Sequence, residues 1–233
     1  MPVYRLANTP AFPPASHAEP SGLLAIEGDL SAERLLAAYR NGIFPWYNEG
    51  EPILWFSPDP RMVLLTDELR IPRGVRRNLA SQPFELRLDT SFERVIRACS
   101  RVPRNGQEGT WITEDMVEAY VRLHELGYAH SAEAWLGDEL VGGAYGVSIG
   151  ATFSGESMFH DVTGASQAAV VGLIGQLDRW GVRLVDCQTH TPHFERLGGT
   201  EWPRDRFLAE LSLALEKPTL RGKWVLDDAP VLS

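Results

Sequence analysis

The chain has 233 residues, of which 44% are hydrophobic and 23% are charged, and its formal net charge at pH 7 is -9. This composition excludes a disordered chain and a fibre, and it is typical of a globular protein with one large domain or two smaller ones. The longest apolar run, residues 168–175, is too short to span a bilayer, and the first residues do not have the pattern of a signal peptide. Because the two cysteines, Cys99 and Cys187, give no disulfide framework, we expect a cytoplasmic protein.

The first 61 residues predict a small N-terminal α/β domain. An extended lead-in over residues 1–21 precedes a short strand at residues 22–26. In the helix that follows, Asp29 or Ser31 can serve as the N-cap, Gly42 ends the helix, and the apolar positions at helical spacing are Leu35, Leu36 and Tyr39. Two prolines flank an aspartate in residues 57–61 (SPDPR), which predicts a rigid turn and a domain boundary. We therefore expect two domains, residues 1–61 and residues 62–233.

The basic residues are concentrated in one segment. Residues 61–104 carry ten arginines, no lysine and five acids, whereas residues 105–233 carry nine basic residues against 19 acids. Arginine suits bidentate contacts with phosphate, so Arg73, Arg76 and Arg77 are candidates for contacts with the phosphates of a nucleic acid. A solvated face with ordinary ion pairs would explain the segment equally well. The acidic remainder of the chain would attract a cationic partner.

The second domain has a regular order of predicted elements. Thr113 can cap a helix that carries acids in its first turn and apolar residues on one face. Three strands are expected next, at residues 129–136, 140–147 and 151–159, with short turns between them as in a meander. A long apolar helix over residues 164–180, a strand at 184–188 and a last helix over 204–215 complete the order α-β-β-β-α-β-α. This order resembles the acetyltransferase-like fold of the GNAT superfamily, and the predicted fold class of the whole chain is α+β.

One acid stands inside an apolar strand. Glu156 lies in residues 153–159 (FSGESMF), between a glycine and a serine, and a carboxylate removed from water needs a partner. From these residues alone two interpretations remain open. The strand can be an edge strand whose acid points to solvent, or the acid can be the single negative charge of a pocket with apolar walls.

Several short motifs carry a more specific resemblance. They run in order along the chain at residues 24–31 (LAIEGDLS), 42–46 (GIFPW), 55–61 (WFSPDPR), 109–113 (GTWIT), 140–143 (LVGG), 155–159 (GESMF) and 186–188 (DCQ). In sequence and spacing they are similar to the leucyl/phenylalanyl-tRNA–protein transferases. The resemblance implies transfer of a leucyl or phenylalanyl group from aminoacyl-tRNA to the α-amino group of an acceptor protein that begins with Arg or Lys. It further implies that the product is degraded by the bacterial N-end rule and that the enzyme needs no cofactor, metal or membrane.

The resemblance also assigns roles to residues. Trp46 and Trp111 match the two tryptophans that hold the 3′ adenosine of the tRNA, and Glu156 is placed to hold either the polar end of the aminoacyl group or the cationic acceptor. The apolar pocket for the leucyl or phenylalanyl side chain maps onto Ala144, Phe153, Met158, Val170, Leu173 and Val185. Core packing would explain most of these apolar residues equally well, and it is the alternative interpretation for the two tryptophans.

Asp186 and Gln188 are the candidate catalytic residues. Because residues two apart on a strand share a face, both side chains are expected to point into one site, with Cys187 turned the other way into packing. The resemblance implies that Gln188 accepts a hydrogen bond from the attacking amine, while Asp186 orients it and supports the developing positive charge. The alternative is a strand acid and amide that only satisfy nearby backbone groups.

The chain departs from the family pattern at several positions. Glu27 stands where glycine is usual, Phe56 stands where tryptophan is usual, and further differences occur at His160, Gly164, Gln167 and Arg196. These departures concern acceptor preference and tRNA contacts more than the type of reaction.

Two other functions are compatible with parts of the sequence. A GNAT-type N-acetyltransferase would share the fold, but it needs a Gln/Arg-x-x-Gly-x-Gly/Ala loop at the start of the long helix, and residues 164–169 (GASQAA) do not match it. Cys187, His190 and His193 are of the types that bind zinc, but their spacing fits neither a standard finger nor a helical pair.

Overall fold

The computed structural model describes residues 3–102 and 111–227. The first two residues of the 109–113 motif therefore lie outside the described residues. Within those ranges the chain forms two β-sheets, of four and seven strands, and seven α-helices. The expectation of a protein that mixes helices and strands is confirmed.

The smaller sheet is built from the first 56 residues. Its strands and the helix between them are β1 (Tyr4–Arg5), β2 (Leu23–Ile26), α1 (Ala32–Arg40), β3 (Phe44–Pro45) and β4 (Leu54–Phe56). The strand order is β1-β2-β4-β3, with β1 parallel to β2 and the other pairs antiparallel. The predicted strand and helix of this region are confirmed.

Both predicted cap residues contribute to the start of α1. Ser31 is the N-cap, and its side-chain oxygen accepts a hydrogen bond from the Arg34 backbone N–H at 3.4 Å. Asp29 accepts hydrogen bonds from the Ser31 N–H at 2.9 Å and from Nη2 of Arg34 at 3.0 Å. The helix ends at Arg40, just before Gly42, whose φ of +68° requires the conformational freedom of glycine.

Glu27 shows why glycine is usual at its position. Its φ is +68°, in the left-handed region where a Cβ atom clashes with the backbone and glycine is favoured. The side chain of Glu27 lies at the surface and pairs with Arg5 of β1 at 3.0 Å. This departure therefore affects the local backbone and lies outside the cavity described below.

The larger sheet and its helices are formed by the rest of the chain. In chain order these elements are β5 (Arg61–Leu65), α2 (Arg73–Ser81), β6 (Glu85–Leu88), α3 (Phe92–Cys99), α4 (Glu114–Glu125), β7 (Ala129–Leu136), β8 (Glu139–Ile149), β9 (Thr152–His160), α5 (Ala165–Arg179), β10 (Leu184–Gln188), α6 (Pro192–Arg196), β11 (Thr200–Trp202) and α7 (Arg204–Leu215). From Thr113 onward, each predicted helix and strand is confirmed within two residues at either end.

The strand order of this sheet is β11-β5-β10-β9-β8-β7-β6. The three strands β7, β8 and β9 form the predicted antiparallel meander. Helix α5 then crosses over so that β10 lies parallel to β9, and β5 pairs antiparallel with the other side of β10. The edge strands β6 and β11 were not predicted, because runs of four and three residues are too short for a clear alternation of apolar and polar side chains.

Apolar side chains fill both faces of the larger sheet. On one face, α1, α3 and α4 bury residues such as Ile96 and Tyr120 against Val147 of β8. On the other face, α5 buries Val171 and Leu177. The apolar run at residues 168–175 is therefore a core helix, and none of the described helices is long and apolar enough to cross a membrane.

A buried carboxylate joins the start of α3 to the sheet. Glu133 on β7 is fully buried and accepts hydrogen bonds from the backbone N–H groups of Thr90 and Ser91, at 2.9 and 2.7 Å. It also accepts from the Thr90 hydroxyl, from the Ser131 hydroxyl at 2.9 Å and from the Trp135 indole N–H at 3.1 Å. The carboxylate lies at the N-terminus of α3, where the helix dipole favours negative charge.

We expect Glu133→Gln to lower the free energy of unfolding by about 2–3 kcal/mol, because one acceptor oxygen becomes an NH₂ group that faces other donors. Chemical denaturation measures this difference. The matched control is Glu139→Gln, which makes the same change at an exposed residue at the start of β8 and should alter stability by less than about 0.5 kcal/mol. Equal stability losses in the two variants would contradict the proposed dependence on this network.

Candidate active site

A cavity of about 390 Å³ opens where β8, β9, β10 and α5 meet the smaller sheet. It is lined by all nine residues to which the resemblance assigned a contact with substrate: Trp46, Trp111, Ala144, Phe153, Glu156, Met158, Val170, Leu173 and Val185. Ordinary packing in separate parts of the core would not bring the two tryptophans and the apolar set to one cavity. The contacts of these residues with substrate stay a prediction.

The two tryptophans lie on the wall of this cavity with different exposure. Trp46 follows β3 and is 40% exposed. Its backbone N–H donates a hydrogen bond of 2.9 Å to the Leu54 carbonyl. Its ring lies 5.7 Å from that of Phe56, the residue that replaces the usual tryptophan. Trp111 is 6% exposed and precedes α4. The indole of Trp46 is thus accessible from solvent, whereas the indole of Trp111 is a buried part of the cavity wall.

The polar part of the cavity is centred on Glu156. Its carboxylate accepts hydrogen bonds from the hydroxyls of Tyr39 and Tyr120, at 2.8 and 3.2 Å, and from Nε2 of Gln188 at 2.7 Å. The two tyrosine hydroxyls also contact each other. Strand β9 lies between β10 and β8, so the interpretation of Glu156 as a solvent-facing acid on an edge strand is wrong.

Burial controls the ionisation of Glu156. It raises the pKa of this carboxyl from its ordinary value of 4.5 to about 7, although the three hydrogen bonds favour the charged form and lower it. The same burial, together with the negative charge of Glu156, raises the pKa of Tyr39 and Tyr120 well above 10, so both phenols remain donors. A carboxyl that titrates near neutral pH is typical of a functional site.

The expectation that Asp186 and Gln188 share a face is wrong. A β-bulge interrupts β10 between these two residues, and Gln188 has a φ of +64°. The simple alternation of a strand therefore ends at this point. Cys187 lines the cavity together with Val185, instead of turning away from it. Gln188 reaches the cavity because its backbone departs from the extended conformation.

Asp186 lies behind the cavity wall and faces a buried arginine. Its two carboxylate oxygens accept hydrogen bonds from Nε and Nη2 of Arg61, at 2.7 and 2.6 Å, and both residues are almost fully buried. One of the same oxygens accepts the backbone N–H of Gln188 at 2.9 Å. Asp186 is not among the residues that line the cavity, so it meets Gln188 through the backbone.

Sequence analysis missed Arg61, Tyr39 and Tyr120 as parts of this site. Arg61 belongs to the basic segment by sequence, but it stands directly before the apolar residues 62–65 (MVLL), and that position indicates burial. Helical spacing in the sequence makes Tyr39 an apolar helix position, and Tyr120 lies in the same way on the apolar face of the helix that Thr113 caps. This spacing describes the two rings but not their hydroxyls. A tyrosine on the buried face of a helix needs a partner for its hydroxyl, and that requirement could have indicated the link to Glu156.

Cys187 is not a reactive thiol at neutral pH. Burial raises the pKa of this thiol well above 9, and the nearby charge of Asp186 raises it further. Among the described residues, no group of three or more His, Cys, Asp or Glu side chains could hold a metal ion. His190 lies 3.4 Å from Glu195 of α6, on the exposed surface.

The arginines of residues 61–102 divide into two groups. Some are engaged within the protein: Arg61 with Asp186, Arg87 with Glu85, and Arg97 with Glu93 and Glu114. Arg73, Arg76 and Arg77 instead lie exposed on α2, and none of the three forms an ion pair with another described residue. Helix α2 packs beside the start of α5, where the side chain of Asn78 lies next to Gly164.

The sequence was compared with known families, curated proteins and solved structures. Residues 63–212 match the model of the leucyl/phenylalanyl-tRNA protein transferases, and residues 28–59 match the model of the N-terminal domain of the same proteins. A solved structure, that of L-PGS from Bacillus licheniformis, is similar at a TM-score of 0.39 with 13% identity, over 71% of this chain and 52% of that chain.

Curated relatives match over nearly the whole length. The leucyl/phenylalanyl-tRNA–protein transferase of Myxococcus xanthus strain DK1622 is 55% identical over 226 residues, which cover 96% of this chain and 97% of the relative. That of Anaeromyxobacter dehalogenans strain 2CP-C is 56% identical over 229 residues, which cover 98% of each chain. The chain therefore belongs to the leucyl/phenylalanyl-tRNA–protein transferase family.

Proposed function

We propose that the protein transfers a leucyl or phenylalanyl group from aminoacyl-tRNA to the α-amino group of acceptor proteins that begin with Arg or Lys. The product is marked for N-end rule degradation in the cytoplasm. The observation that carries this proposal is the combination, in one cavity, of two tryptophans, an apolar floor and a carboxylate beside an amide. The reaction needs no cofactor and no metal, because the ester of aminoacyl-tRNA is already an activated acyl donor.

The cavity suits the end of an aminoacyl-tRNA. Trp46 and Trp111 offer aromatic faces to the 3′ adenine, and stacking one base on such a face is worth about 1–3 kcal/mol. The side chain of the leucyl or phenylalanyl group occupies the apolar floor, which is formed by Ala144, Phe153, Met158, Val170, Leu173 and Val185. Upstream phosphates of the acceptor stem meet Arg73, Arg76 and Arg77 on α2.

Gln188 is the residue in contact with the attacking amine. Its Nε2 group donates to Glu156, so its Oε1 atom remains available to accept a hydrogen bond from the amine. An α-amino group has a pKa of about 7.7–8.0, so a useful fraction is neutral at cell pH and holding it in line accounts for most of the catalysis. The amine nitrogen bonds to the acyl carbon, the ester bond to the ribose breaks, and the proton of the amine ends on the departing ribose oxygen.

Glu156 and Asp186 have separate tasks in this proposal. Glu156, in its ionised form, holds a cationic group beside the reacting atoms, either the amino group of the aminoacyl substrate or the acceptor. Asp186 orients Gln188 by accepting its backbone N–H, and its negative charge supports the positive charge that develops on the amine. The tyrosines keep the Glu156 carboxylate in one orientation.

We also propose a division into two domains. Residues 1–61 form the small N-terminal domain, and residues 62–233 form a catalytic domain of the acetyltransferase-like GNAT type. The separate four-stranded and seven-stranded sheets support this division, as does the meander followed by a crossover helix and a parallel strand.

The function is tested with labelled leucyl-tRNA or phenylalanyl-tRNA and a set of peptides that differ only in the first residue. We expect label on peptides that begin with Arg or Lys and none on peptides that begin with Glu or Gly. An N-acetylated Arg peptide is the control, because its α-amino group is blocked. The absence of label on every peptide would remove the proposed function.

Replacing Gln188 should slow the chemical step. We expect Gln188→Ala to lower the single-turnover rate by about 10²–10⁴, the range for a lost hydrogen-bond partner at the reacting atoms, while aminoacyl-tRNA affinity changes by a few-fold at most. The control is Gln82→Ala, an exposed glutamine outside the cavity, whose rate should equal that of the parent. A near-normal rate in Gln188→Ala would shift attention to catalysis by the ribose hydroxyl of the tRNA.

The size of residue 144 should set the preference between phenylalanine and leucine. The family resemblance implies methionine at this position in other members, so Ala144 should leave a wider cavity that favours phenylalanine. We expect Ala144→Met to lower the Phe/Leu ratio of kcat/KM by about 10-fold or more, since a group of that size is worth about 1–3 kcal/mol in an apolar pocket. Ala209→Met, on the exposed side of α7, is the control, and an unchanged ratio in Ala144→Met would refute the assignment.

The exposed arginines of α2 should contribute a salt-dependent part of tRNA affinity. We expect the affinity to fall steeply with salt, and Arg76→Ala or Arg77→Ala to reduce the slope of log K against log salt by about one without changing amino-acid preference. Arg122→Ala removes an exposed arginine of α4 and should leave the slope unchanged. If the parent binds tRNA equally at low and high salt, the basic helix is only a solvated surface.

A further inference from the structure

Arg61 occupies a closed site between the two sheets. It is 1% exposed, and its Nε and Nη2 atoms bind the two oxygens of Asp186, while Nη1 donates to the carbonyl of Gly42 at 3.1 Å. The central carbon of its guanidinium lies 4.9 Å from the centre of the Phe44 ring and 4.7 Å from the centre of the Phe207 ring. Every nitrogen of the guanidinium is therefore engaged, and two aromatic rings pack against the group.

A buried ion pair of this kind adds little stability over apolar residues of the same volume, because removing both charges from water offsets most of their attraction. What the pair adds here is a single geometry. A guanidinium that bonds two carboxylate oxygens and a carbonyl fixes the direction of each partner, which a lysine ammonium would not do. Asp186 can therefore occupy only one orientation behind the cavity wall.

The orientation of Asp186 is passed on to Gln188. The carboxylate oxygen that binds Nε of Arg61 also accepts the backbone N–H of Gln188 at 2.9 Å. Gln188 has a φ of +64°, a conformation that a residue with a side chain keeps only where neighbouring contacts hold it. From this backbone its Nε2 atom reaches Glu156 at 2.7 Å. The bonds thus run without a gap from Arg61 to the polar centre of the cavity.

We propose that Arg61 is a positioning residue for aminoacyl transfer, which acts on Gln188 through Asp186 and holds the amide of Gln188 against Glu156 inside the cavity. This inference rests on the function proposed above. Arg61 touches neither substrate, and its contact with Gly42 anchors the pair to the turn after α1. The first arginine of the basic segment thus contributes to the chemical step, whereas the exposed arginines of α2 contribute to tRNA binding.

The inference is tested by a double-mutant cycle between Arg61→Lys and Gln188→Ala, with the single-turnover rate as the readout. Arg61→Lys keeps the positive charge but loses the paired geometry, and we expect it to lower the rate by about 10-fold or more, with aminoacyl-tRNA affinity within about threefold of the parent. In the Gln188→Ala background, the same change should lower the rate by less than about threefold, because the group that Arg61 positions is already absent. A purely structural arginine would give the same loss in both backgrounds.

Thermal unfolding of each variant sets the assay temperature well below its transition, so that the folded fraction is equal. Arg122→Lys, at an exposed arginine, is the control in both backgrounds. If Arg61→Lys does not fold, Asp186→Asn replaces it in the same cycle, because it preserves the shape and weakens the pair. The inference would be overturned if the rate losses of the two single variants multiplied in the double variant. It would also be overturned if the single-turnover rate of Arg61→Lys alone were within threefold of that of the parent. In both cases the proposed function would stand. If the parent itself labels no peptide, the proposed function fails first.

Discussion

The bidentate ion pair between Arg61 and Asp186 is the interaction on which the site depends, because it ties two neighbouring strands of the larger sheet together where the cavity begins. Arg61 opens β5, Asp186 lies on the neighbouring strand β10, and the arginine reaches back to the turn at Gly42. Charged side chains are seldom buried so completely, and they are retained here with every hydrogen-bonding atom of the guanidinium engaged. Arg61 and Asp186 are almost fully out of contact with water, so each charge depends on the other for its compensation.

Glu156 is a partly buried carboxylate, and its compensation is of a different kind. Asp186 faces a cation, whereas Glu156 faces the hydroxyls of two tyrosines and the amide of Gln188, all of them neutral. Hydrogen bonds from neutral donors compensate for only part of the hydration that the carboxylate loses. The pKa of Glu156 is therefore raised to about 7. The cavity thus contains a carboxyl whose charge can respond to a cationic ligand, and behind its wall lies a carboxylate that is paired with an arginine. The two acids differ in chemistry although only the side chain of Gln188 separates them.

Much of the fold follows from patterns that act over short distances. The meander of β7 to β9, the long apolar helix α5 and the cap at Thr113 could be predicted because alternation, helical spacing and capping are local. The cavity residues could be named from the motifs and their spacing. The partners of Glu156 and Asp186 could not, because Tyr39, Tyr120 and Arg61 come from distant parts of the chain, and nothing local distinguishes a packed ring from a hydrogen-bonded hydroxyl. The prediction of the side-chain direction of Gln188 was wrong for a related reason, since a bulge depends on the neighbouring strand as well as on the residues that form it.

The placement of the two tryptophans has a consequence for the stability of the whole protein. Trp46 extends from the smaller sheet, and Trp111 lies before a helix that packs on the larger sheet, so the cavity between them belongs to both. A base stacked against both rings would act as a bridge between the sheets, and its binding free energy would add to the free energy of unfolding. By mass action that addition grows by about 1.4 kcal/mol for each tenfold excess of ligand over its dissociation constant. The 3′ end of the tRNA would then be both a reactant and a temporary part of the structure. It would stabilise the arrangement of the two sheets during the reaction, and this stabilisation would end when the tRNA dissociates.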